Sequence, residues 1–136
     1  TIPTGIAMSR FLRYWLPVLV WMSMIFYLSS QSRLPVEMPY WVPYVDKLAH
    51  AAVFGILGFL FIRAWLEGKL EAVNTRVVAF AVLFTALYGI TDEIHQMFVP
   101  GRSPAVGDVI ADALGAAVFG AVLYKWKKRT REAPAV

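Results

Sequence analysis

RVVAFAVLFTALYGITDEIHQM, from Arg76 to Met97, decides how this chain is read: fifteen uncharged residues separate Arg76 from Asp92, and the run closes on two carboxylates and an imidazole. An α-helix rises 1.5 Å per residue and needs roughly 20 residues to cross about 30 Å of hydrocarbon. The uncharged stretch falls short of that, so a helix spanning here carries Asp92, Glu93 and His95 below the interface. Ionisable groups at that depth are costly and mark working sites.

The same layout recurs on both sides of this stretch. Fifteen residues separate Lys47 from Arg63, and twelve separate Asp112 from Lys125. Four spans are expected: Phe11 to Ser29, Lys47 to Trp65, Arg76 to Met97 and Gly107 to Trp126. Segments rich in Pro, Gly and charge, Ser30 to Val45, Leu66 to Thr75 and Phe98 to Val106, divide them. The expected fold is an all-α, antiparallel bundle of four transmembrane helices with both termini cytoplasmic. Pro17 falls inside the first span and is expected to kink it, which neighbours tolerate by satisfying the freed carbonyl. Residues 8–130 form the membrane domain in this reading. Thr1 to Ala7 is read as a short added or unordered leader before a natural start at Met8, and residues 131–136 as the end of a basic tail.

Composition agrees. Of 136 residues, 59% are hydrophobic and 16% charged, and the mean hydropathy is positive. Trp and Tyr gather near the ends of the apolar runs, where amphipathic rings settle at a bilayer interface. The chain has no Cys, which excludes disulfide scaffolds, thiolate metal sites and cysteine nucleophiles. The net charge of +4 does not indicate nucleic acid, because the basic residues sit at helix ends and in the tail.

Charge also orients the chain. Arg10, Arg13, Arg63, Lys69, Arg76, Lys125, Lys127, Lys128, Arg129 and Arg131 fall on one side, against Arg33, Lys47 and Arg102 on the other. By the positive-inside rule the first side is cytoplasmic. Glu37, Asp46, Asp92, Glu93, Asp108 and Asp112 then lie toward the outside, with Glu67, Glu71 and Glu132 inside. The expectation is a multi-pass membrane protein, with a polar pocket opening extracytoplasmically.

Residues three and four apart share a helix face, which groups Asp46, Lys47 and His50, then Asp92, His95 and Gln96, then Asp108 and Asp112, into one expected ring. Ala111, Gly115 and Ala116 permit close backbone approach, and Gly55, Gly58 and Gly120 are read as packing residues. The turn FVPGRSP, from Phe98 to Pro104, can hold Arg102 over the ring, where its fork suits a carboxylate or phosphate. Glu93, His95, His50 and Asp112 are the acid/base candidates. Arg102, Lys47, Gln96, Asp46, Asp92 and Asp108 are the candidate substrate contacts. A divalent cation in the ring would use Asp108, Asp112 and Glu93 as oxygen ligands. Plainer roles compete: Asp46 and Lys47 as a helix-start pair, Asp108 as an N-cap, and Glu93 with His95 as an interfacial ion pair.

DEIHQMFVPGR from Asp92, DVIADALG from Asp108, DKLAH from Asp46 and SSQS from Ser29 together resemble the VanZ-like family of small bacterial membrane proteins, in matching order and spacing. One departure is Asp112, where the family usually carries Asn. The resemblance implies an association with resistance to the glycopeptide teicoplanin, and an outward site that alters or shields envelope lipids or lipid-linked cell-wall precursors. An enzyme in this setting would be a lipid-headgroup hydrolase or transferase. The alternatives are a non-enzymatic protein binding lipid or antibiotic, and a proton or ion carrier. No nucleophile elbow, catalytic triad or Ser-Gly-His pattern of membrane phosphatases is present, and the inner halves of the spans lack the ionisable groups a conducting path needs.

Overall fold

The computed structural model describes residues 4–32 and 44–132. Arg33 and Glu37, used above to orient the chain, lie outside them, as do residues 1–3 and 133–136. Among the described residues the protein is all-helical: α1 (Thr4–Tyr14), α2 (Leu16–Ser29), α3 (Val45–Trp65), α4 (Thr75–Gln96) and α5 (Val106–Glu132), with one 3-10 turn at Leu70–Ala72. α3, α4 and α5 are each long and apolar enough to cross a membrane. A fourth span exists if α1 and α2, bent by 43° between Met8–Tyr14 and Leu16–Ser29, count as one.

That bend falls in the turn before Pro17, where a kink was expected, and it divides the first span into two helices. Pro17 sits in the first turn of α2, where its missing N–H costs little. The carbonyl it leaves unserved is that of Arg13, which accepts from Arg63 Nη1 at 3.3 Å. α1 itself begins at Thr4, so residues 4–7 are helical. α5 likewise outlasts its apolar part by a turn and a half, since its last residues are charged and solvated and Lys128 lies 4.0 Å from Glu132 one turn on.

Local chemistry sets the other ends. Asn74 caps α4, its side-chain oxygen accepting from the backbone N–H of Arg76 at 3.0 Å and of Val77 at 3.2 Å. α3 closes into a reversal at Gly68, whose φ of 80° suits a residue without Cβ and whose N–H reaches Arg63 O at 2.9 Å.

Small residues bring the helices together. A Cβ on Gly115 of α5 would lie 2.0 Å from the carbonyl oxygen of Ala51 on α3, and one on Gly58 would meet Ala116 Cβ at 2.8 Å. Without a water-driven hydrophobic effect inside a bilayer, such close backbone approach supplies much of the association. α2 packs through Val18 and Ile25 on Phe54, Leu57 and Ala64 of α3. It is also tied by Trp21 Nε1 to Val53 O at 2.9 Å and by Tyr88 hydroxyl to Met22 O at 2.7 Å. Exposed Val20, Phe26, Leu83, Leu87, Leu114, Val118 and Val122 form the outward apolar surface.

Candidate functional site

The start of α3, the end of α4 and the start of α5 meet at one end of the bundle, and their polar side chains turn inward. Asp92, Glu93, Gln96, Asp108 and Asp112 are all buried, Asp112 completely. Buried carboxylates in an apolar bundle persist only when paired, hydrogen-bonded or metal-bound.

Two chains of contacts hold them. In the first, Lys47 bridges helices: its Nζ donates to Asp46 Oδ2 at 2.8 Å and to Asp108 Oδ1 on α5. Lys47 is therefore more than a helix-start partner. Asp108 is not the N-cap of α5, which starts two residues earlier, and its side chain serves the ion pair instead. In the second, Gln96 is the junction. Its amide nitrogen donates to Asp92 Oδ2 at 2.9 Å, and its oxygen accepts both Arg102 Nη2 at 2.9 Å and Arg102 Nε at 3.2 Å. The turn expected at residues 98–104 thus holds Arg102 over the site, with two of its donors on the Gln96 amide oxygen.

Glu93 ties the loop down: Oε2 accepts the backbone N–H of Ala105 at 2.6 Å, fixing the entry into α5. His50 faces both carboxylates of α5. Its Nδ1 lies 3.0 Å from Asp112 Oδ1, and its Nε2 lies 3.8 Å from Asp108 Oδ2. A carboxylate against Nδ1 fixes the tautomer that keeps the proton there and turns the Nε2 lone pair outward. Phe54 stacks on the ring at 5.9 Å between centroids with 7° between planes, holding its orientation.

His95 departs from the expected ring. At about 100° per residue it lies on the opposite flank of α4 from Glu93, and that flank faces α2. Its Nε2 is 2.9 Å from Ser30 Oγ, and its ring lies 4.3 Å from that of Phe26. His95 is a tie between α4 and α2, and the expected Glu93–His95 ion pair is absent among the described residues. Of the expected cation ligands, Glu93 and Asp108 come together with His50, one donor atom from each within 4.8 Å of the others, while Asp112 lies against His50 Nδ1.

A cavity of about 460 Å³ opens beside this network. Asp46, His50, Asp92, Gln96, Arg102 and Asp108 line its polar part, and Ile25, Leu28, Val53 and Phe54 its apolar wall. That is a common size for a small-molecule site. A pocket with one polar and one apolar wall suits an amphiphile.

The VanZ/LLP1 family model matches residues 14–128, which takes in every helix from the end of α1 to most of α5. The chain belongs to the VanZ/LLP1 family. No curated protein matches it, and no solved structure does. In this VanZ/LLP1 protein the family match and the apolar helices together make a multi-pass membrane protein.

Sequence reasoning missed three contributors. Gly89 makes room for Asp112, whose Oδ2 would be 2.5 Å from a Cβ there. The Ala105 N–H that anchors Glu93 is a backbone group without a sequence signal. Ser29, buried at the end of α2, lines the cavity. Its place in the SSQS run was the available hint.

Proposed function

We propose that this protein binds and acts on the headgroup of an anionic envelope lipid or lipid-linked cell-wall precursor, in a pocket on the extracytoplasmic side of a bacterial cytoplasmic membrane. The observation that carries this reading is the two-walled cavity, which pairs Arg102, Gln96 and His50 with an apolar wall from α2 and α3. A headgroup fits the first wall and the start of a lipid chain the second. The abundance of Lys and Arg at the other end of the bundle supports the orientation.

Roles within the pocket follow from the contacts. Arg102 still has donors beyond the two given to Gln96, and serves as the anion contact. Lys47 is engaged by Asp46 and Asp108, so it positions Asp108 more than it greets a ligand. The Asp112–His50 pair resembles the orienting half of acid/base dyads, and it leaves the Nε2 lone pair free to take a proton or, in its place, a metal ion. Resistance to teicoplanin-type glycopeptides would follow if the altered or sheltered lipid is the antibiotic's target or its anchor.

The test uses purified protein in nanodiscs with a polyprenyl phosphate or an anionic phospholipid, read by mass spectrometry for bound and converted lipid. Saturable binding with conversion is expected, and Arg102→Ala should weaken binding at least tenfold. Binding without conversion assigns a receptor or shield in place of an enzyme. A folded protein that neither binds nor converts these lipids overturns the reading.

A further inference from the structure

The polar end is rich in carboxylates. Asp92, Glu93 and Asp112 make no ion pair with Lys or Arg among the described residues, while Lys47 is shared between Asp46 and Asp108. Gln96 and the Ala105 N–H supply only neutral donors. The four buried carboxylates share one ammonium, that of Lys47, and Asp108 and Asp112 also face the His50 ring. Asp112, fully buried, has an Oδ2 without any hydrogen-bond partner.

We propose that His50, Glu93 and Asp108 form a binding site for a divalent transition-metal ion of the Zn²⁺ or Mn²⁺ kind, with Asp112 as the group that orients His50. The donor geometry is already set. His50 presents Nε2, because Asp112 occupies Nδ1 at 3.0 Å. Lys47 holds Asp108 by Oδ1, so Oδ2, the oxygen nearer His50, is the ligand. Ala105 holds Glu93 by Oε2, so Oε1, whose other contact is a 3.5 Å approach from Gln96, is the third. Three donor atoms within 4.8 Å of one another need shifts of under about 1 Å to reach the roughly 2.0–2.2 Å of Zn²⁺–N and Zn²⁺–O bonds. A histidine with a carboxylate behind it is the usual arrangement at metal sites, fixing ring and tautomer together. One imidazole with two carboxylates favours a transition ion over Mg²⁺ or Ca²⁺, which prefer all-oxygen sets.

Three protein ligands leave positions for water or for a ligand oxygen. His50 and Asp108 also line the cavity, so those positions face it. The ion and Arg102 would then offer two positive contacts to one phosphate. That last contact rests on the lipid reading; the metal site does not.

Protein in lipid-free detergent separates the two. Titration with Zn²⁺ against a chromophoric chelator should give one equivalent bound, and Co²⁺ substitution should give visible absorption bands of a mixed nitrogen and oxygen site. His50→Ala should abolish the Co²⁺ bands, and Glu93→Gln should weaken Zn²⁺ at least tenfold. Asp112→Asn, the least disruptive change, should weaken it between ten- and a hundredfold, while Arg10→Ala at the far end should bind as wild type. Folded wild-type protein without stoichiometric Zn²⁺, or wild-type affinity in both Glu93→Gln and Asp112→Asn, overturns the site even if lipid binding is found. Should His50→Ala fail to fold, these two variants decide it.

Discussion

The two ends of this bundle are built from the same three helices by opposite means. At the basic end Phe61, Ile62, Val73, Val77, Ala81 and Leu123 pack a dry cluster, with Trp15 and Phe84 against it. Phe61 stacks on Phe84 at 4.5 Å between centroids. The charges there stay on the surface, as in the Arg10–Glu67 pair at 3.0 Å with both side chains about half exposed. At the acidic end the charges are inside, held by Lys47 and Gln96, and helix contact comes from glycine in place of side-chain volume. The contrast teaches that one end is built for apolar packing and the other gives some of it up to bury polar groups.

Substitutions can break or sharpen that contrast. The largest effect is expected at the acidic end from Gly115→Val, since even a Cβ there falls 2.0 Å from the Ala51 carbonyl oxygen, which is backbone and cannot swing aside. No folded monomer should be recovered on size-exclusion chromatography; normal recovery would show that backbone approach is not what joins α3 to α5. The intermediate effect belongs to the basic end. Ile62, fully buried, should cost about 2 kcal/mol on truncation to Ala, at the low end of the range for core cavities because the unfolded reference is itself in lipid. Thermal unfolding in detergent measures it, and lipid and metal binding should survive. The smallest is Arg10→Ala, which removes an exposed ion pair and should shift stability by less than about 1 kcal/mol. A larger loss would mean that the bend between α1 and α2 depends on that contact.

Much of the candidate site was legible because helical spacing is a local property. Asp92 and Gln96, and likewise Asp108 and Asp112, follow a period that any helix imposes, and apolar runs too short to span leave these residues near one end of the bundle. His95 shows where that logic stops. It satisfies the same spacing from Asp92, yet the choice between facing α5 and facing α2 depends on how α4 is rotated in the bundle. The cation ligands read from the sequence, Asp108, Asp112 and Glu93, were oxygen donors alone, and that His50 comes within 4.8 Å of Glu93 and Asp108 while Asp112 lies against its Nδ1 is a matter of helix rotation that no spacing along the chain indicates. In the first span Pro17 marked the kink, but that the bend is sharp enough to end one helix at Tyr14 and begin another at Leu16 showed only in the folded chain.

What this sequence settled unaided is the class of the protein and the end of the bundle at which its acidic residues gather, because hydropathy, run length and charge asymmetry act along the chain and need no partner. What only the folded bundle decided is which donors converge. The His50–Asp112 and Lys47–Asp108 contacts join residues 62 and 61 positions apart, and their existence depends on helix rotation and on the closeness that Gly115 and Gly89 permit. Those are properties of surfaces in contact, and a linear pattern does not encode them.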